Sequence, residues 1–153
     1  MRALSLVFFL SIATVAFGQS LPVAKPVPLP NQLTFAGEPV PMEDPEVAER
    51  LDRELLVNTY WQSNTLLWLK RAGKWLPSIR QILVDSGIPV DFQYLPLIES
   101  NLINVVSPAE AVGFWQLLKS TAQENGMEVN EHVDMRYHPL EATRTACRVL
   151  KRF

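Results

Sequence analysis

The sequence predicts an all-α fold, on three observations. Apolar residues recur at helical spacing from Val47 to Leu83 and again from Leu140 to Leu150. Helix start and stop residues bracket these runs: Asp44-Pro45 before the first, Gly87 and Pro89 after it, and Pro139 before the second. No stretch of useful length alternates with period two, as a half-buried strand would.

At the N-terminus, Arg2 is a minimal positive region and Leu4 to Phe17 is a mostly apolar run. Ala16-Phe17-Gly18 then places small residues where a signal peptidase reads. Residues 1–18 are therefore expected to be a signal peptide cleaved after Gly18. The run is short for a bilayer span, so the expected location is exported, in the periplasm or cell envelope. Residues 19–45 hold seven of the twelve prolines. Proline fixes its own φ and donates no backbone hydrogen bond, so this stretch is read as an extended linker.

Folded structure is expected from residue 46 onward, as a helical lead-in over 46–86 and a further unit over 87–153. Asp44 is a cap and Pro45 fits the first helical position, with Val47, Leu51 and Leu55 spaced by four. A second helical stretch, Thr65 to Arg71, should be interrupted at Gly73. Trp75, Ile79, Ile82 and Leu83 then form a new stripe. Asp91 is a candidate cap for the segment carrying Glu99, and Pro96 should delay or kink that helix. Ser120 to Asn125 reads as a short helix ended by Gly126. The loop from Val129 to His138 is polar, and the last helix places Leu140, Thr143, Cys147 and Leu150 on one face.

Composition narrows the function. The chain has 153 residues, 48% of them hydrophobic, enough for one packed domain and a tail. The net charge of −2 argues against nucleic-acid binding, which needs a basic face. The single cysteine, Cys147, excludes an internal disulfide and reads as a small core residue. There is no glycine-rich phosphate loop. His132, Asp134 and His138 lie in one loop without helical ligand spacing, so neither a metal nor another cofactor is expected.

Two segments carry chemistry. In Tyr94-Leu-Pro-Leu-Ile-Glu-Ser100, Glu99 follows Leu95 by four and lies at the edge of a stripe formed by Leu95, Ile98 and Leu102. Apolar neighbours strip water from a carboxyl and favour its protonated form, which suits a proton donor to a leaving oxygen. On spacing alone the favoured reading is an exposed glutamate near a helix end, the fate of most glutamates. Ser100 could bond the carboxyl or a sugar, or bond back to its own helix. In Gly113-Phe-Trp-Gln116, Gly113 permits close backbone approach. Trp115 offers a flat apolar face for a sugar ring, and Gln116 offers a donor and an acceptor for an acetamido group. Trp68 and Trp75 lie in helical stripes and are expected in the core.

These residues together resemble the lytic transglycosylase domain of the soluble-lytic-transglycosylase type, in particular the membrane-bound murein transglycosylase D group. The resemblance rests on Gly87-Ile88-Pro89, Tyr94-Leu95-Pro96, Glu99-Ser100, Ser107 and Gly113-Phe114-Trp115-Gln116, in the family's order and spacing. Residues 46–86 also look like that group's helical lead-in. Glu110 departs from the pattern, standing where the family usually has glycine.

The resemblance implies a lysozyme-like helical domain that acts on peptidoglycan. Such enzymes cleave between N-acetylmuramic acid and N-acetylglucosamine without water and leave a 1,6-anhydro sugar. Carried over, Glu99 is the catalytic acid and then the base, Ser100 supports it, and Gly113, Trp115 and Gln116 line the sugar site. One acid suffices because an intramolecular attack needs no second carboxylate to activate water, unlike ordinary glycosidases. The family also has an alanine-tyrosine-asparagine type motif and a later tyrosine on the other wall of the groove. Neither occurs here, so the expectation is a domain incomplete on its C-terminal side, with impaired activity and apolar faces open to self-association. The implied partners are peptidoglycan strands, with peripheral association to the envelope. The alternative is a non-catalytic or vestigial peptidoglycan-binding module.

Overall fold

The computed structural model describes residues 25–152. The export signal expected over 1–18 and the first part of the linker lie outside the described residues. Among the described residues the architecture is all-α. Five helices run α1 (Pro45–Tyr60), α2 (Gln62–Asp85), α3 (Leu95–Ser100), α4 (Lys119–Glu124) and α5 (Pro139–Leu150). A 3₁₀ turn at Val90–Tyr94 leads into α3, and another at Met135–Tyr137 leads toward α5.

Local chemistry explains most boundaries. The Asp44 carboxylate accepts from the Glu46 amide at 2.9 Å, and Pro45 opens α1 as expected. At the end of α2, Gly87 adopts φ +66°. Its amide donates to the Val84 carbonyl and that of Ile88 to the Leu83 carbonyl, both at 2.9 Å. These are the two bonds of a Schellman stop.

Three expectations are corrected. α2 is not interrupted at Gly73 but continues through both Gly73 and Pro77. The reason is packing. Trp75, Leu76, Ile79, Ile82 and Leu83 keep one face of α2 against α5 and the core, which outweighs the local cost of glycine and an interior proline. Asp91 does not cap α3; its Oδ2 accepts from the Ala36 amide at 2.8 Å. That bond anchors the third correction, a small hairpin inside the proline-rich segment, β1 (Thr34–Phe35) and β2 (Glu38–Pro39). Ala36 and Gly37 both have positive φ, as a tight hairpin turn requires. Phe35 meets Phe92 edge-on at 5.3 Å.

The core forms where α2 packs directly on α5 and both meet the loop after α3. Ile79 and Leu83 from α2 and Ala142, Ala146 and Cys147 from α5 enclose Leu102, Phe114, Trp115 and Leu117. Trp75 stands edge-on to Phe114 at 5.2 Å. Trp68 is only half-buried, and its Nε1 donates to Asn101 Oδ1 at 2.9 Å. α1 buries no residue, and Trp61, Leu66 and Leu69 around its junction with α2 are exposed. No helix among the described residues is long and apolar enough to cross a membrane.

Candidate active site

Glu99 stands in the last turn of a six-residue helix. α3 ends because Asn101 and Leu102 turn left-handed, with φ 55° and 54°. The Asn101 side chain is held by Trp68, and its carbonyl accepts from Arg71 Nη1 at 3.2 Å. Asparagine is among the residues that best tolerate this region. Pro96 and Ser100, four residues apart, form the buried edge of α3, whereas Ile98 is 76% exposed. Glu99 is exposed as well. The expected apolar burial of its carboxyl is therefore absent, because α3 stops one residue later and its Ile98–Glu99 side is left open while Ser100 faces inward.

Ser100 is only 4% exposed. Its hydroxyl lies 2.9 Å from both the Pro96 and the Phe114 carbonyl oxygens, and its one proton is shared between them. The group faces inward, so the expectation that it binds a sugar is corrected. It ties the Glu99 helix to the Gly113–Gln116 turn.

That turn is closed by paired backbone bonds between Val112 and Leu117, at 3.1 and 3.2 Å. Gly113 has φ +78°, and a Cβ there would stand 2.1 Å from the Arg136 carbonyl oxygen. Only glycine allows this approach. Trp115 is 8% exposed, and its Nε1 donates to Thr143 Oγ1 at 2.8 Å. The Thr143 hydroxyl in turn donates to the Pro139 carbonyl at 2.8 Å. Trp115 is thus a core bolt between the turn and α5, and the expectation of an open sugar platform is corrected. A buried indole needs a partner for its N–H, and Thr143 supplies one.

Gln116 is half-buried, with φ +47°. Its Nε2 donates to the carbonyls of Val105 (3.1 Å) and Gly113 (2.8 Å). Its side-chain oxygen accepts no hydrogen bond among the described residues.

Ser107 opens the neighbouring loop. Its amide donates to the Ala111 carbonyl at 2.9 Å, and its Oγ accepts from the Ala111 amide at 3.1 Å. Glu110 in this loop has φ 60°, the conformation a glycine adopts most readily.

Two residues were not singled out by sequence. Arg136 is 7% exposed and pairs with Asp134 at 2.7 Å. That hydrogen-bonded guanidinium holds the Asp134 carboxyl below the usual carboxylate range, against the opposing effect of burial. Asn104 donates from Nδ2 to the Tyr137 carbonyl at 2.9 Å. An Asp-x-Arg triplet before a proline-opened helix was the only available signal, and its partners lie 19 to 26 residues away.

The metal-like trio is dispersed in role. His132 is exposed, Asp134 serves Arg136, and His138 Nδ1 accepts from the Glu141 amide at 3.3 Å at the start of α5. Among the described residues, no group of three or more His, Cys, Asp or Glu could hold a metal ion. Cys147 is buried and free, and desolvation raises its thiol pKa.

The site therefore sets an exposed carboxyl beside a rigid turn, pinned through Ser100. Comparison with known proteins agrees with the resemblance. Residues 89–153 match the family model described as Transglycosylase SLT domain. Two curated relatives, both Membrane-bound lytic murein transglycosylase D, come from Escherichia coli strain K12 and Escherichia coli O6:H1. Each is 26% identical to this chain over 122 residues, covering 77% of this chain and 26% of the relative. The chain thus spans about a quarter of the length of these relatives. No solved structure matches.

Proposed function

We propose that this chain acts on peptidoglycan glycan strands as a lytic transglycosylase, with Glu99 as the one acid and base. The observation that carries this reading is the Ser100 bridge. It couples the helix bearing an exposed carboxyl to the Gly-x-Trp-Gln turn, within the stretch that matches the transglycosylase SLT domain.

In the proposed reaction, Glu99 donates a proton to the glycosidic oxygen between N-acetylmuramic acid and N-acetylglucosamine. The bond to the anomeric carbon breaks. Deprotonated Glu99 then takes the proton from the muramic acid 6-hydroxyl, whose oxygen closes onto that carbon to form the 1,6-anhydro ring. No water is consumed, and no second carboxylate is needed to activate one. The free side-chain oxygen of Gln116 is the group proposed to accept from an acetamido N–H. Gly113 lets the turn come close, and Ser100 and Trp115 hold the turn rather than the sugar.

The envelope is the proposed location, after cleavage of residues 1–18, with residues 19–45 as spacer and 87–153 as the catalytic unit. The exposed apolar residues Trp61, Leu66 and Leu69 are proposed to favour self-association. A second reading, a module that binds peptidoglycan without turnover, is favoured by one observation. The Gln116 amide nitrogen is already engaged by its own loop, which leaves a single atom for substrate. The test is incubation of the purified chain with sacculi and detection of anhydro-ended muropeptides. Their release supports the enzyme, and retention on sacculi without release supports the binding module.

A further inference from the structure

The turn that presents Gln116 owes its shape to a side chain twenty residues further along. Arg136 is 7% exposed and each of its three guanidinium nitrogens has a hydrogen-bond partner. Nε lies 2.9 and 3.2 Å from the two Asp134 carboxylate oxygens, and Nη2 lies 2.7 Å from the second. Nη1 donates in the other direction, to the Glu110 and Leu117 carbonyls, each at 3.1 Å. These two carbonyls flank the Gly113–Gln116 turn, one on the loop before it and one on the residue that closes it. The Arg136 backbone carbonyl also lies against this turn, so close that a Cβ at Gly113 would stand 2.1 Å from its oxygen.

We propose that Arg136 is a positioning residue that fixes the turn and so aims Gln116 at an N-acetylated sugar, with Asp134 holding the guanidinium plane. That the ligand is a glycan rests on the function proposed above; the clamp itself does not. Gln116 has φ +47°, and a non-glycine residue persists there only when its surroundings impose it. The bond from Nη1 to the next carbonyl, Leu117, is the imposition. The task suits arginine. Its planar fork meets a carboxylate with one edge and two carbonyls with another corner, whereas a lysine ammonium is a single point of charge on a flexible stem.

The experiment compares the full chain with Arg136→Lys and Arg136→Ala, at a temperature where each is folded by circular dichroism. Amide exchange is read at Val112, Gln116 and Leu117, with Ile79 to Leu83 and Ala142 to Cys147 as internal controls. Chitotetraose is the binding probe. The expected result is exchange at least about tenfold faster in the turn, with the controls unchanged, and a chitotetraose dissociation constant raised about tenfold, as loss of one charged hydrogen bond would give. Millimolar guanidinium should reverse both changes in Arg136→Ala. Unchanged turn exchange, uniform acceleration including the controls, or failure of both variants to fold would overturn the proposal. So would chitotetraose affinity unaltered in a variant whose turn has loosened. A parent chain that does not bind chitotetraose sinks the glycan reading alone, while turn exchange and its rescue by guanidinium still decide the clamp.

Discussion

The Ser100 hydroxyl lies 2.9 Å from the Phe114 carbonyl, a contact spanning fourteen residues that joins the end of α3 to the middle of the glycine-tryptophan turn. Both groups are buried. Ser100→Ala removes the donor and leaves the Phe114 carbonyl without this partner. The expected loss of stability is about 1–3 kcal/mol, the usual cost of a buried polar group left unpaired. Urea unfolding monitored by tryptophan fluorescence measures it. A loss below about 0.5 kcal/mol, within the range of a neutral surface change, would show that the bridge does not hold the turn.

Gly113→Ala tests the closest approach in the site. Its Cβ would meet the Arg136 carbonyl oxygen at 2.1 Å, in a left-handed backbone. Left-handed φ costs about 1–2 kcal/mol for an L residue, and overpacking typically adds 1–3 kcal/mol. The variant should lose about 2–5 kcal/mol or fail to fold, as thermal melting will show. Near-parent stability would mean that the turn stands off from Arg136.

At Glu110 the same physics runs the other way. This exposed residue holds φ 60° where the resembling family usually has glycine. Glu110→Gly relieves the left-handed cost, offset partly by the greater chain entropy of glycine. A gain of about 0.5–1 kcal/mol is expected in urea unfolding, with the Arg136 bond to the Glu110 carbonyl retained. A destabilised variant would contradict the assignment of strain there.

Much of this was legible in the chain, and the failures share a cause. The start of α1 at Asp44-Pro45 and the stop of α2 at Gly87 follow from residues adjacent in sequence, so local chemistry settled them. The break expected at Gly73 did not occur, because α2 is held by partners on α5 that no local window contains. The two-residue strands at Thr34 and Glu38 are too short to show a period. In the site, spacing located the carboxyl and the turn but not which way their side chains face. Ser100 and Trp115 turn inward to meet Phe114 and Thr143, and Glu99 stays exposed for want of a cover. Arg136 was invisible because its meaning lies in carbonyls far along the chain.

Acid should loosen the site through Asp134. Its folded pKa is depressed, chiefly by the Arg136 hydrogen bond, below the unfolded value near 4. The unfolded state therefore binds the proton first as pH falls. The stabilisation is fully present above the unfolded pKa and is lost as pH drops through the depressed folded one. Asp134→Asn should flatten this acid limb of the stability profile. An unaltered limb in the variant would assign acid sensitivity to other carboxylates.

The central claim is that Glu99 carries the chemistry, and one comparison tests it most directly. The purified chain and its Glu99→Gln variant are incubated with sacculi, and 1,6-anhydro muropeptides are counted. The substitution keeps the shape of an exposed side chain and removes its acid, so folding should be unchanged. Release should fall by at least about a hundredfold, the scale at which a positioned general acid contributes. Equal release by the two proteins would contradict the account.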